Sequence, residues 1–148
     1  MDTKTQLNNA MKDAMRAKDQ VAKRTLTMVR AAIQQAEKDR RTELDENAVM
    51  AILQKELKSR QESIAEATKA GRDDLVADSE AEIMVLKTFL PEAMPEEELR
   101  SIAAAVIAEV GASAPADMGK VMKVILPRVA GRAPGGDISR VVKELLLG

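Results

Sequence analysis

The sequence predicts an all-α protein, and three observations carry that expectation. Ala, Leu, Met, Glu, Lys, Arg and Gln, the strong helix formers, dominate the chain, whereas the aromatic residues that favour strands amount to Phe89 alone. Apolar residues recur at helical spacing through most of the length. The clearest breaks in that spacing are the Pro- and Gly-rich stretches PEAMP and GRAPGG. With 148 residues, 45 % of them apolar, the chain can bury a core as one domain or as a bundle with a small appendage.

Seven helices follow from periodicity and punctuation. The first is expected from Thr3 to Ala17, with Leu7, Met11, Ala14 and Met15 inward. The second runs from Gln20 to Asp39 behind an Asp19 cap, burying Ala22, Leu26, Val29, Ile33 and Ala36. Asp45 caps a third, from Glu46 to Lys69, with Val49, Leu53, Leu57 and Ile64 inward and Gly71 suited to its C-terminal exit. The fourth, from Asp74 to Phe89, is expected to pack Leu75, Ile83, Leu86 and Leu90.

Pro91 and Pro95 bracket the one convincing boundary. Pro95 reads as the first residue of a fifth helix, with three glutamates in its first turn complementing the helix dipole. That helix buries Leu99, Ile102, Ala103, Val106, Ile107 and Val110 and stops at Gly111. A sixth starts near Asp117, turns Met118, Val121, Met122 and Ile125 inward, and is expected to kink or end at Pro127. Asp137 is expected to cap the seventh, which buries Ile138, Val141, Val142 and Leu145. The reading is an N-terminal four-helix antiparallel bundle (1–90), a linker (91–95) and a smaller C-terminal three-helix unit (96–148).

Cysteine and histidine are both absent. That removes disulfides, thiolate nucleophiles, Cys-based zinc sites and every triad built on an imidazole. Ser59, Ser63, Ser79, Ser101, Ser113 and Ser139 sit in no nucleophile-elbow context. The acidic residues Asp73, Asp74, Glu80 and Glu82 lack the His that di-iron bundles pair with Glu. No catalytic residue, metal or cofactor is therefore expected. The N-terminal stretch MDTKTQLNNAMKDA has no apolar core for a signal peptide, and apolar runs fall far short of the ~20 residues that span a bilayer. A cytoplasmic protein with no membrane contact is expected.

The net charge is −1, but it is unevenly spread. Residues 1–41 carry ten Lys/Arg against five Asp/Glu, residues 42–116 seven against sixteen, and residues 117–148 six against three. Basic ends around an acidic middle can mark a polyanion-binding face, although solvated helix faces give the same pattern.

The stretch MGKVMKVILPRVAGRAPGGDISRVVKELL, from Met118 to Leu146, closely resembles the signature of the GatB/YqeY family. RTLTMVRAAIQQAEKD, QKELKSRQESI and FLPEAMPEEEL are similar to it in the same order, so the resemblance covers nearly the whole chain. It is closest to the short, free-standing YqeY-like branch. The chain departs from the family where Pro134 stands in place of the usual Asp. The resemblance implies a two-part helical fold and kinship with the tail of the GatB component of a glutamine-dependent tRNA amidotransferase. There the tail helps to hold tRNA, while amide transfer takes place in a separate domain that nothing in this chain resembles.

What the resemblance implies is a tRNA-binding or tRNA-amidotransferase-associated accessory module without its own catalytic site, with tRNA or a protein of tRNA amidation as partner. Two alternatives stand beside it: a carbon–nitrogen ligase using glutamine as amide donor, and a helical protein-interaction module. The residues themselves offer a compatible surface. Lys120 and Lys123 share a helix face turned away from the apolar stripe, and Arg128, Arg132, Arg140 and Lys143 follow on the adjoining turn and last helix. Secondary basic candidates are Lys23, Arg30 and Arg41 along the second helix, and Lys55, Lys58 and Arg60 on the third. Without Tyr or Trp for base stacking, any RNA contact would rest on backbone charge and shape.

Overall fold

The computed structural model describes residues 2–148. Among them are seven α-helices, one short 3-10 turn and no β-strand: α1 (Thr3–Ala17), α2 (Gln20–Arg40), α3 (Glu46–Lys69), α4 (Asp73–Lys87), α5 (Glu96–Val110), α6 (Met118–Val129) and α7 (Gly135–Leu147). The all-α expectation holds. The chain divides into two compact units, one ending at Leu90 and one beginning at Pro91.

In the N-terminal unit, Asp2, Asp19 and Asp45 start the first three helices by accepting from the N–H of Thr5, Ala22 and Ala48 at 2.8, 3.1 and 2.8 Å. Each bond satisfies a donor that the helix itself leaves open. The core gathers Leu7 and Ala14 of α1, Leu26, Val29 and Ile33 of α2, Leu44, Val49 and Leu53 up to and along α3, and Leu86 of α4. Gly71 leaves α3 at φ 68°, the left-handed region where a glycine costs nothing.

Two inward assignments fail in this unit. Met15 is 58 % exposed, because the α1 stripe is centred on Leu7 and Ala14, two turns apart, and Met15 lies about 100° from Ala14. Leu75 is 42 % exposed, because the end of α3 and the start of α4 contribute no residue to the core cluster that would cover it. Helix α4 also stops at Lys87 rather than Phe89. Phe89 and Leu90 continue as a tight turn, their N–H groups donating to Leu86 and Lys87 at 3.1 and 3.3 Å.

The C-terminal unit buries Leu99, Ala103 and Val106 of α5, Val121, Ile125 and Val129 of α6, and Ile138, Val141, Val142 and Leu146 of α7, with Ala133 from the connecting turn. Pro95 precedes the first residue of α5 instead of occupying it, and Glu96, Glu97 and Glu98 form the first turn. Asp137 is not the cap of α7. Pro134, extended at φ −65° and ψ 146°, starts the helix at Gly135 and leaves Asp137 in the first turn, where its charge still meets the dipole. Helix α6 runs two residues beyond Pro127. The lost N–H bond lies in the last turn, and the complete burial of Val129 favours continuing. The helix then exits through Ala130 at φ 51° and Gly131 at φ 79°.

Candidate nucleic-acid interface

The six C-terminal cations do not form one open basic face. Arg128 on α6 makes a two-pronged contact with Glu109 near the end of α5, at 2.9 and 2.5 Å. Arg132 donates to both oxygens of Glu98 at 2.9 and 3.3 Å and, through Nε, to the carbonyl of Glu92 at 3.1 Å. The Arg132 carbonyl in turn accepts the Met94 N–H at 2.8 Å. Arg132 thus fastens the stretch after Pro91 to the turn before α7. Arg140 bridges Glu96 of α5 and Glu144 of α7 at 2.5 and 3.3 Å, and Glu144 also holds Arg100. All three arginines expected to touch phosphates are engaged by carboxylates of their own unit.

These pairs show in the acidities. Hydrogen bonding from the Arg128 guanidinium holds Glu109 below the ordinary 4.5, and Arg100 followed by Arg140 does the same for Glu144. The backbone N–H groups of Ser113 and Ala114 lower Asp117 below 3.8. A carboxylate depressed in the folded state contributes stability above its unfolded pKa, and that contribution fades as pH falls through the folded value. The expected result is a melting temperature that is flat from about pH 7 to pH 5, drops below about pH 4.5, and loses much of this dependence in about 1 M salt. Thermal melts across that range check it. A flat profile down to pH 3 would mean that the bridges contribute nothing.

Three cations stay open. Lys120 lies 3.7 Å from Asp117 and its side chain is 62 % exposed, so the pair is loose. Lys123 and Lys143 are exposed and have no ion pair among the described residues. The C-terminal unit, residues 91–148, holds seven Lys/Arg and eight Asp/Glu, a net of −1; residues 1–90 hold sixteen of each. The basic C-terminal third seen along the sequence is therefore cancelled in space by α5.

Of the secondary candidates, Arg60 is corrected outright. It is 6 % exposed, with Nη1 on Glu56 and Nε on Glu82, both at 2.7 Å, and Nη2 at 3.2 Å from the Met28 sulfur. It sits seven residues after Leu53, almost directly two turns along the same inward stripe, so its guanidinium faces the unit's interior. Lys55 and Lys58 are exposed. Lys23 is exposed on α2, and Arg30 is half-buried beside α1. Arg41 lies just past the end of α2 at φ 55°, so the three do not share a helical face.

Among the described residues, no group of three or more Asp or Glu is placed to hold a metal ion. Among the same residues, no single helix is long and apolar enough to cross a membrane. The residues that the sequence did not announce are the glutamates 96, 98 and 109. A local signal existed for Glu56–Arg60, Glu96–Arg100 and Arg140–Glu144, four residues apart, and for Asp117–Lys120, three apart, but not for the long-range contacts of Glu96, Glu98 and Glu109.

A mitochondrial protein named altered inheritance of mitochondria protein 41, from Pyrenophora tritici-repentis, is 28 % identical over 92 % of this chain and 76 % of its own length. Proteins of the same name from Vanderwaltozyma polyspora and Eremothecium gossypii are 34 % and 37 % identical over 62 % and 65 % of this chain. The chain spans about half the length of these two, 51 % and 55 %. The family described as YqeY-like protein matches residues 4–146, from the first turn of α1 to the last of α7. The chain belongs to the YqeY-like protein family.

Proposed function

We propose that this YqeY-like chain is an accessory module of tRNA amidation that touches the tRNA backbone through Lys120, Lys123 and Lys143. The observation that carries the reading is that these three lysines stand exposed without a tight carboxylate partner, while Arg128, Arg132 and Arg140 are engaged within the unit. An ammonium on a flexible stem can meet a phosphate without first giving up a bridge, whereas each arginine must break one. The exposed Lys-bearing faces offer no aromatic platform, so the contact reads charge and shape rather than bases. The carbon–nitrogen ligase alternative is set aside because nothing in the sequence resembles the domain that carries amide transfer. A cytoplasmic setting belongs to the same proposal; the mitochondrial designation is that of the fungal relatives.

Electrostatics makes the proposal quantitative. Three phosphate contacts give a log–log salt slope of roughly −2 to −3, whereas the six cations of the linear sequence would give roughly −4 to −5. Binding is expected to be weak at physiological salt, with a dissociation constant on the order of 10⁻⁴ M. Filter-binding titrations of total tRNA at several salt concentrations measure this. The Lys120→Ala, Lys123→Ala, Lys143→Ala variant should lose nearly the whole slope with its helicity intact. If the parent binds no tRNA at low salt, or the triple variant binds as tightly as the parent, the reading falls.

A second reading, a helical module that docks another protein, is favoured by one observation. Each unit is close to neutral, and the arginines of the C-terminal unit are already matched by glutamates, which suits a protein surface better than a polyanion. The same titration separates the two.

A further inference from the structure

Four arginines of the described chain are buried or half-buried: Arg30, Arg60, Arg100 and Arg132. The last three each grip a carboxylate. The Arg30 side chain has no hydrogen bond or ion pair among the described residues. Arg30 is half-buried as a residue, lines a groove between α1 and α2, and leaves the five donors of its guanidinium free to meet a ligand.

The groove has a definite chemistry. Its floor is apolar, made by Leu7 and Ile33, which are 1 % and 4 % exposed. Two carboxamides, Asn8 from α1 and Gln34 from α2, flank it, and neither makes a side-chain hydrogen bond within the described chain. The far end is closed by Lys4, whose Nζ lies 2.7 Å from Glu37, while Glu37 also accepts the Leu44 N–H at 2.9 Å. Lys4 and Glu37 neutralise each other, so the groove carries one net positive charge, that of Arg30. Arg30 and Glu37 are seven residues apart on α2, about 10 Å along the axis.

We propose that this groove is a binding site for a carboxylate, with Arg30 as its anchor. The planar fork of Arg30 suits the two oxygens of a carboxylate, Asn8 and Gln34 can serve the polar atoms next to it, and the Leu7–Ile33 floor takes a short methylene chain. A single net positive charge matches a monoanionic group better than a phosphate dianion. The carboxylate is that of a free small acid or of a glutamate side chain on a partner protein. The inference draws on the N-terminal unit alone and stands whether or not the C-terminal lysines bind tRNA.

Amide NMR titrations of the full chain at constant ionic strength test it, with sodium butyrate, the peptide acetyl-Ala-Glu-Ala-amide and inorganic phosphate as probes. Both carboxylate probes should shift the amides of Leu7, Asn8, Ile33 and Gln34 saturably, with dissociation constants on the order of 1–10 mM, as ligands of so few atoms allow. Tighter binding of the peptide assigns the site to a protein partner, and tighter binding of butyrate assigns it to a free acid. Arg30→Gln should weaken binding at least tenfold. Arg30→Lys keeps the charge without the fork and should weaken it several-fold, and it is the variant to read if Arg30→Gln loses helicity. The proposal is overturned if neither carboxylate gives saturable shifts, if phosphate binds as tightly as they do, or if Arg30→Lys binds like the parent.

Discussion

Arg60→Ala should lower the unfolding free energy by about 3–5 kcal/mol, far more than removal of any other charge in the chain. The Arg60 side chain is 8 % exposed, and those of Glu56 and Glu82 are 19 % and 14 % exposed. Removing the guanidinium leaves Glu56 without its partner and Glu82 with Arg24 alone, at 3.1 Å. The cost is that of stranded, poorly hydrated carboxylates rather than of the bridge itself, because a buried pair gains little over an apolar replacement of similar volume. Two further variants follow from that distinction. Arg60→Lys should lose an intermediate amount, since one ammonium cannot fork between two carboxylates. Arg60→Met combined with Glu56→Leu and Glu82→Leu should recover most of the loss. Urea denaturation measures all three. A loss below about 1 kcal/mol for Arg60→Ala would show that water reaches the site and that the bridges resemble surface pairs.

Arg60 also shows what the sequence made legible and what it did not. The helices were legible because their causes are local: Asp19 and Asp45 cap three residues ahead, and the apolar stripes repeat within one helix. The place of Arg60 was legible too, since Leu53, Leu57, Arg60 and Ile64 follow one stripe and Glu56 stands one turn away. Grouping it with Lys55 and Lys58 by charge overrode that geometry. The C-terminal surface was opaque for a different reason. Arg128 meets Glu109 across 19 residues, Arg132 meets Glu98 across 34 and Arg140 meets Glu96 across 44. Linear charge blocks keep such partners apart, and only packing α5 against α6 and α7 brings them together. Helix starts were displaced by one to three residues where proline sets the backbone, at Pro95 and Pro134, because an extended ψ after a fixed φ decides the first helical residue before any side-chain cap acts.

Ile125→Ala should melt the C-terminal unit while the N-terminal unit stays folded. Ile125 is fully buried at the middle of α6, among Leu99, Val106, Val121, Ile138 and Val142 of one cluster. Truncating a buried Ile costs about 2–5 kcal/mol, made up of lost transfer free energy and the cavity left behind. A unit spanning residues 91–148 has little margin for that loss, since domains of about 60 residues bury only ~60 % of their unfolded surface and are correspondingly marginal. The N-terminal unit draws on a different set of core residues, Leu7, Leu26, Val29, Leu53 and Leu86 among them. In an amide NMR spectrum, peaks from residues 96–147 should therefore collapse toward random-coil positions while those of α1 to α4 keep their dispersion. Leu53→Ala is the converse probe: it should destabilise α1 to α4 by a similar amount and leave the peaks of α5 to α7 in place. If either variant erased both sets of peaks in one cooperative step, the two clusters would have to be a single folding unit, and the division after Leu90 would be geometric only.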